Sequence, residues 1–173
     1  YCNTKNCFNG VTSKPLEMLS KEYINLVNKG YREFLLMSED IGSYGIDIGL
    51  NLIDILTEFS KCENSKEVRW RLDGLNPVWS IKYQNEIIPY VKTNKIYSIV
   101  FPIQSASERI LKLMNRYSNV DEIYNNLIKL KLEGKNLRLH GFFMIGFPSE
   151  TQEDFEKTLE FIKKINFNSV GFS

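Results

Sequence analysis

The sequence predicts an α/β fold in which a parallel sheet carries helices on its outside, and three observations support that prediction. Compact apolar runs alternate with amphipathic stretches along the chain, the connections between them are short, and no linker-like or low-complexity segment interrupts the 173 residues. The chain reads as one domain, 1–173, built either as an open doubly wound sheet or as a barrel.

The first helix opens at Pro15, places Leu16, Leu19, Tyr23, Leu26 and Val27 on one face, and closes at Gly30, with proline at the entry and glycine at the exit. Phe34 to Met37 is a short apolar run that reads as a buried strand. Leu52, Ile53, Leu56 and Phe59 mark a second helix. Val68 to Leu72 is a second strand, in which Val68, Trp70 and Leu72 alternate with Arg69 and Arg71. Ile81 to Tyr90 has helical spacing, with Pro89 expected to kink or end it. A third strand, Ile96 to Ile103, runs into the polar turn Gln104-Ser105-Ala106-Ser107, where Ser105 and Glu108 have the spacing of a capping box. Helices over 108–115 and 120–132 follow, the second with Val120, Ile123, Tyr124, Leu127 and Ile128 on one face. Leu137 to Ile145 is a fourth strand. Thr151 and Asp154 form a variant capping box for a helix carrying Phe155, Leu159 and Ile162, and Ser169 to Phe172 begins a fifth strand.

Composition narrows what such a domain does. With 43% hydrophobic and 25% charged residues it is a soluble chain with one sizeable core, which excludes disorder, collagen and a disulfide scaffold. The 22 Lys and Arg nearly cancel the 21 Asp and Glu, so no global positive field points to nucleic acid. No apolar stretch reaches the roughly 18 residues that cross a bilayer, and no charged leader precedes an apolar segment. The expectation is a cytoplasmic chain with no membrane partner and reduced thiols; beginning at Tyr1, it reads as a piece of something longer. Three cysteines are an odd count. Cys2 and Cys7 stand close together, which leaves metal or redox chemistry open for them, whereas Cys62 reads as an ordinary, partly buried thiol.

In either architecture ligands gather beyond the carboxyl ends of the strands. The candidate loops are therefore 38–49, 73–77, 104–107 and 146–150, joined by the cysteine segment if a strand precedes it. Each also has a plain reading: a solvated glycine loop at Gly42, Gly45 and Gly49, a helix cap at 104–107, a strand-to-helix turn at 146–150. Ser38-Glu39-Asp40 ends the first strand with two carboxylates.

Taken in order, the cysteine start, SKPLE at 13–17, NKGYREFLLMSED at 28–40, SYGIDIG at 43–49, NP at 76–77, PIQSAS at 102–107, ILKLMNR at 110–116 and IGFPSETQEDFEKTLEFI at 145–162 resemble the radical S-adenosylmethionine methylthiotransferases. The SED and QSAS wording is closest to the branch that converts threonylcarbamoyladenosine in transfer RNA to its 2-methylthio form, and less close to the branch acting on a ribosomal-protein aspartate. The resemblance implies a partial (β/α)6 TIM-like barrel of the radical SAM type, whose second to sixth strands are those seen here. It also implies a first strand and a cysteine-rich domain upstream, and a small RNA-binding β domain downstream.

The implied chemistry is reductive cleavage of S-adenosylmethionine to a 5′-deoxyadenosyl radical at a [4Fe–4S] cluster held by three thiolates. A second [4Fe–4S] cluster in the absent domain would carry the sulfur, and an electron donor such as flavodoxin or ferredoxin would be a partner. The substrate would be transfer RNA, engaged through a domain not present here. By the same resemblance, Ser38, Glu39 and Asp40 fall at the methionyl end of the cofactor, and Arg71, Asn76, Gln104 and Ser105 line its pocket. Arg116 would pair with the methionyl carboxylate, Gly146 and Pro148 would flank the adenine, and Cys2 and Cys7 would ligate the cluster.

The chain departs from that pattern in three places. The family motif is C-x3-C-x2-C, whereas Cys2 and Cys7 are separated by four residues with no third cysteine nearby. The favoured explanation is a third cysteine missing from this stretch; an unusual ligand or a lost cluster, leaving a barrel that acts as a binding module, are the alternatives. Val100 stands where the family usually has histidine, and Gly141-Phe142 where it has Thr-Asp. These changes keep open a peptide or small-molecule substrate. His140, the only histidine, reads as structural at a strand position, with proton shuttling as the alternative.

Overall fold

The computed structural model describes residues 2, 6, 7, 10–62 and 67–173. Its five strands are β1 (Glu33–Met37), β2 (Arg69–Asp73), β3 (Ile96–Gln104), β4 (Arg138–Phe143) and β5 (Ser169–Phe172), all parallel and ordered β1-β2-β3-β4-β5. A doubly wound sheet reverses its strand order at a switch point. Here the order runs straight through, the winding of a barrel, so the α/β fold is a partial barrel with helices on one face.

Those helices are α1 (Leu16–Asn28), α2 (Leu52–Ser60), α3 (Pro77–Lys82), α4 (Gln84–Lys92), α5 (Glu108–Leu113), α6 (Val120–Glu133) and α7 (Gln152–Ile165). The side chains of one sheet face, including Trp70, Leu72, Ile99, Phe101, Ile103, Leu139 and Phe143, are at most 1% exposed against them. Each fully buried apolar side chain of this kind contributes about 1.5 to 3 kcal/mol. Below the sheet Tyr23 stacks on Phe59 at 4.0 Å between ring centroids, and Trp70 Nε1 donates to the Tyr23 hydroxyl at 3.2 Å. Burial pushes that phenol up to about 12.

Three local expectations are corrected. The Phe34–Met37 run is buried on one face only: Leu35 and Met37 are 51% and 67% exposed on the face away from the helices, while Phe34 and Leu36 pack against the core. The expected 81–90 helix is two helices, beginning at Pro77 and breaking at Tyr83. Pro89 does not end α4: its ring is on the exposed side of the helix, while Ile87, Ile88 and Val91 stay buried and hold the helix against the core. The helix α5 is capped by Ser107 rather than Ser105; Ser107 Oγ accepts from the Ile110 N–H. By contrast, the Thr151–Asp154 capping box forms as expected.

No helix among the described residues is long and apolar enough to cross a membrane.

Candidate functional site

The face of the sheet away from the helices is the concave face of the partial barrel and mixes charged and polar with apolar side chains. Strand alternation and register place its side chains in rows: Leu35, Arg71, Ser98 and Arg138; then Met37, Asp73, Val100, His140 and Ser169; then Pro102, Phe142 and Gly171. Val100 and His140 are register partners, so an imidazole stands at the height of Val100, one strand over. His140 Nδ1 meets Ser169 Oγ at 2.6 Å, and burial together with Arg71 and Arg138 holds the imidazole below its ordinary value, favouring the neutral form.

At the carboxyl ends of the strands the loop after β1 is folded rather than merely solvated. Asp40 caps a 3-10 turn, Ile41–Ser43, and a second turn follows at Ile46–Ile48. Gly45 has φ +83°, and a Cβ there would lie 2.3 Å from the Leu50 carbonyl carbon. Its N–H donates to Ser13 Oγ at 2.8 Å, Ser13 N–H donates to Asp47 at 2.8 Å, and the Tyr44 hydroxyl donates to the Lys14 carbonyl at 2.8 Å. The segment following Cys7 is thus tied to the loop bearing Ser38-Glu39-Asp40. Together they border a cavity of about 790 Å³ that also includes Leu35, Met37 and Ile41.

Three of the expected site residues converge around Asp40. Its carboxylate accepts from Trp79 Nε1 at 2.8 Å and from the Gly42 N–H at 3.3 Å. Burial pushes its carboxyl up, opposed by Trp79, the backbone N–H groups of Asn76 and Gly42, and the charge of Arg116. Asp40 therefore braces the loop. Glu39 differs: it is exposed, and its carboxylate has no partner among the described residues. Ser38 is exposed beside it, its carbonyl 2.9 Å from where a Cβ on Gly74 would stand. Trp79 and Gly42 were not legible as site residues, although Gly42 lay in the glycine loop. A Cβ at Gly42 would fall 2.2 Å from Trp79 Cγ. Gly42→Ala is expected to destabilise the fold by on the order of 1 to 3 kcal/mol, read as a lower urea midpoint.

The remaining residues divide into available and occupied. Gln104 ends β3 with φ +76°, a conformation that costs on the order of 1 kcal/mol or more and persists where surroundings enforce it; its carbonyl accepts from the Met144 N–H at 2.8 Å, and its side-chain amide has no partner among the described residues. The Asn76 side chain caps nothing and is likewise available. Ser105 is 0% exposed, its hydroxyl engaged by Thr158 and the Ser107 N–H, so the side chain shapes the turn and does not reach a ligand. Arg116 donates to the Pro102 carbonyl at 2.5 Å, and Arg71 to Asp73 at 3.0 Å on the concave face. Gly146 has φ +78° with open space above it, beside exposed Pro148.

Cys2 and Cys7 are exposed thiols, and Cys62 packs partly buried against the core. Among the described residues no three His, Cys, Asp or Glu side chains form a metal site. Residues 3–5, between the two cysteines, lie outside the described residues.

The sequence profile of the radical SAM superfamily matches residues 1–162. The chain belongs to that superfamily. The family implies a [4Fe–4S] cluster and S-adenosylmethionine as cofactors. For the cluster, Cys2 and Cys7 are of the right chemical type but supply two thiolates where three are needed. For S-adenosylmethionine, the free Glu39 carboxylate over a large, partly apolar cavity does fit.

The chain is 35% identical over 148 residues to a probable threonylcarbamoyladenosine tRNA methylthiotransferase of Pyrococcus horikoshii, which covers 85% of this radical SAM chain and 34% of the relative. It is 31% identical over 175 residues to a ribosomal protein uS12 methylthiotransferase of Carboxydothermus hydrogenoformans, covering 99% of this chain and 39% of that protein. The chain thus spans little more than a third of the relatives it matches. In structure it resembles the radical S-adenosylmethionine methyltransferase TsrM of Kitasatospora setae, with a TM-score of 0.72, 13% identity, and coverage of 92% of this chain and 30% of that one. That likeness supports the partial-barrel fold.

Proposed function

We propose that this chain is the barrel of a radical SAM methylthiotransferase that modifies threonylcarbamoyladenosine in transfer RNA. The observation that carries the cofactor part is the 790 Å³ cavity, which the segment following Cys7 shares with the SED loop. The choice of target follows the Pyrococcus relative and the wording of the loops. The Carboxydothermus relative, together with Val100 and Phe142, supports a second reading, a protein target.

When bound, the cluster and S-adenosylmethionine supply one-electron chemistry at the sulfonium C–S bond. This chain's residues bind and orient. Glu39 is free to accept from the ammonium of the methionyl end, and Asp40, already occupied by Trp79, holds the loop that carries it. Asn76 and Gln104 offer amides at the ends of β2 and β3, and Leu35, Met37 and Ile41 give the cavity wall an apolar portion. Arg116, fixed on the Pro102 carbonyl, contributes positive charge near Asp40.

Glu39→Ala is expected to weaken S-adenosylmethionine binding about 10- to 150-fold, the range of a lost charge-assisted hydrogen bond. An unchanged calorimetric isotherm would remove Glu39 from the site.

A further inference from the structure

The concave face of β4 carries three side chains that neither the cofactor pocket nor the core uses. Phe142, at the upper end, is 48% exposed although it sits in the middle of a parallel sheet. Its ring lies against Gly171 of β5, where a Cβ would come within 2.4 Å of ring carbon Cε1. The result is a flat aromatic ring seated on backbone. Two residues down, about 6.6 Å along the strand, His140 is fixed through Nδ1 to Ser169; no partner for Nε2 is found among the described residues. Two residues further down, Arg138 is exposed and has no anionic partner among the described residues.

Around Arg138 the surroundings favour an anion. Its register partner Ser98 is 1% exposed, yet Ser98 Oγ has no hydrogen-bond partner; on the other side of Ser98, Arg71 Nε is also buried and unpaired. Arg138 borders a cavity of about 520 Å³ that includes Lys135, Arg69 and Glu33. Glu33 is paired with Arg69, so the other two cations are unneutralised there.

We propose that the concave face of β4 is a recognition strip for a purine nucleoside bearing a carboxylate: the base stacks on Phe142, its substituent passes His140, and the carboxylate is taken by Arg138 beside Ser98. The inference deepens the transfer RNA reading and rests on it, because the threonine of a threonylcarbamoyl group brings such a carboxylate. Stacking on an aromatic side chain is tolerant of sequence and strong enough to hold a base, and a guanidinium suits a planar carboxylate. The adenine of S-adenosylmethionine could in chemistry use the same ring. The target is assigned to it because the strip continues downward to Arg138, away from the strand ends where the cofactor residues lie.

Equilibrium dialysis with the reconstituted holoenzyme tests this without reductant, so it is independent of whether the enzyme cleaves its cofactor. The probes are N6-threonylcarbamoyladenosine, adenosine, S-adenosylmethionine and an aspartate-containing peptide. Phe142→Leu is expected to weaken both nucleosides about 10-fold. Arg138→Gln should weaken threonylcarbamoyladenosine at least 10-fold and leave adenosine unchanged, and Gly171→Ala, which displaces the ring, should copy Phe142→Leu. The proposal is overturned if Arg138→Gln affects both nucleosides equally or neither, or if Phe142→Leu weakens S-adenosylmethionine but not the nucleosides. Binding of the peptide, dependent on Arg138, with no binding of the nucleoside overturns it in favour of a protein target.

Discussion

Replacing Asp154 by alanine is expected to lower the unfolding free energy by about 3 kcal/mol. The carboxylate, 4% exposed at the start of α7, accepts from Ser107 Oγ at 2.5 Å, from Thr151 Oγ1 at 2.7 Å and from the Arg109 guanidinium. One turn later Thr158 Oγ1 accepts from the Ala106 N–H at 3.1 Å. These bonds join α7 to the turn after β3, the turn in which Gln104 is held at positive φ. Alanine leaves the buried Ser107 hydroxyl and the Thr151 cap without their acceptor, and urea unfolding reads the loss directly.

The same residue makes a pH prediction. Arg109, then Ser107, hold the Asp154 carboxyl well below the usual carboxylate range. The folded state therefore binds fewer protons than the unfolded state as acid is added. The stabilisation is fully present above the unfolded carboxyl value, near pH 4, and is lost as the pH falls below it. The gap between wild type and Asp154→Ala should hold from pH 5 to 8 and shrink below about pH 4. A gap that widened in acid would contradict this.

The second large effect concerns the cysteine segment. Cys7→Ala in the anaerobically reconstituted protein is expected to lower the bound iron and sulfide severely, because it leaves Cys2 as the one thiolate of the pair. Iron and sulfide analysis after anaerobic reconstitution measures it. Iron content equal to wild type would exclude Cys7 as a ligand.

How far the sequence revealed this depends on the kind of information each feature needs. Helices α1, α2, α6 and α7 were legible because spacing and caps are local, as at Thr151 and Asp154. The apolar run at 34–37 misled because residue type does not say that Leu35 and Met37 of β1 face the concave side, away from the helices. Ser105 and Ser107 are two residues apart with the same chemistry, and only packing against Thr158 and Asp154 decides which of them caps α5.

The site followed the same division. The loops at the carboxyl ends of the strands could be found from topology. Whether a carboxylate was free, as in Glu39, or occupied, as in Asp40 by Trp79, required partners 39 residues away. Phe142 stood out in the sequence only as a departure from a family pattern; its seat on Gly171 and its alignment with Arg138 depend on strand register.

The proposed function requires this barrel to bind S-adenosylmethionine beside a cysteine-held cluster and to cleave it reductively. The most direct measurement is 5′-deoxyadenosine release by the holoenzyme, reconstituted anaerobically with iron and sulfide and then given reductant. The expected result is a visible iron–sulfur absorbance together with 5′-deoxyadenosine formed in proportion to cluster content and lowered by Glu39→Ala. Absence of both the absorbance and the product would contradict it and leave a barrel that binds without radical chemistry.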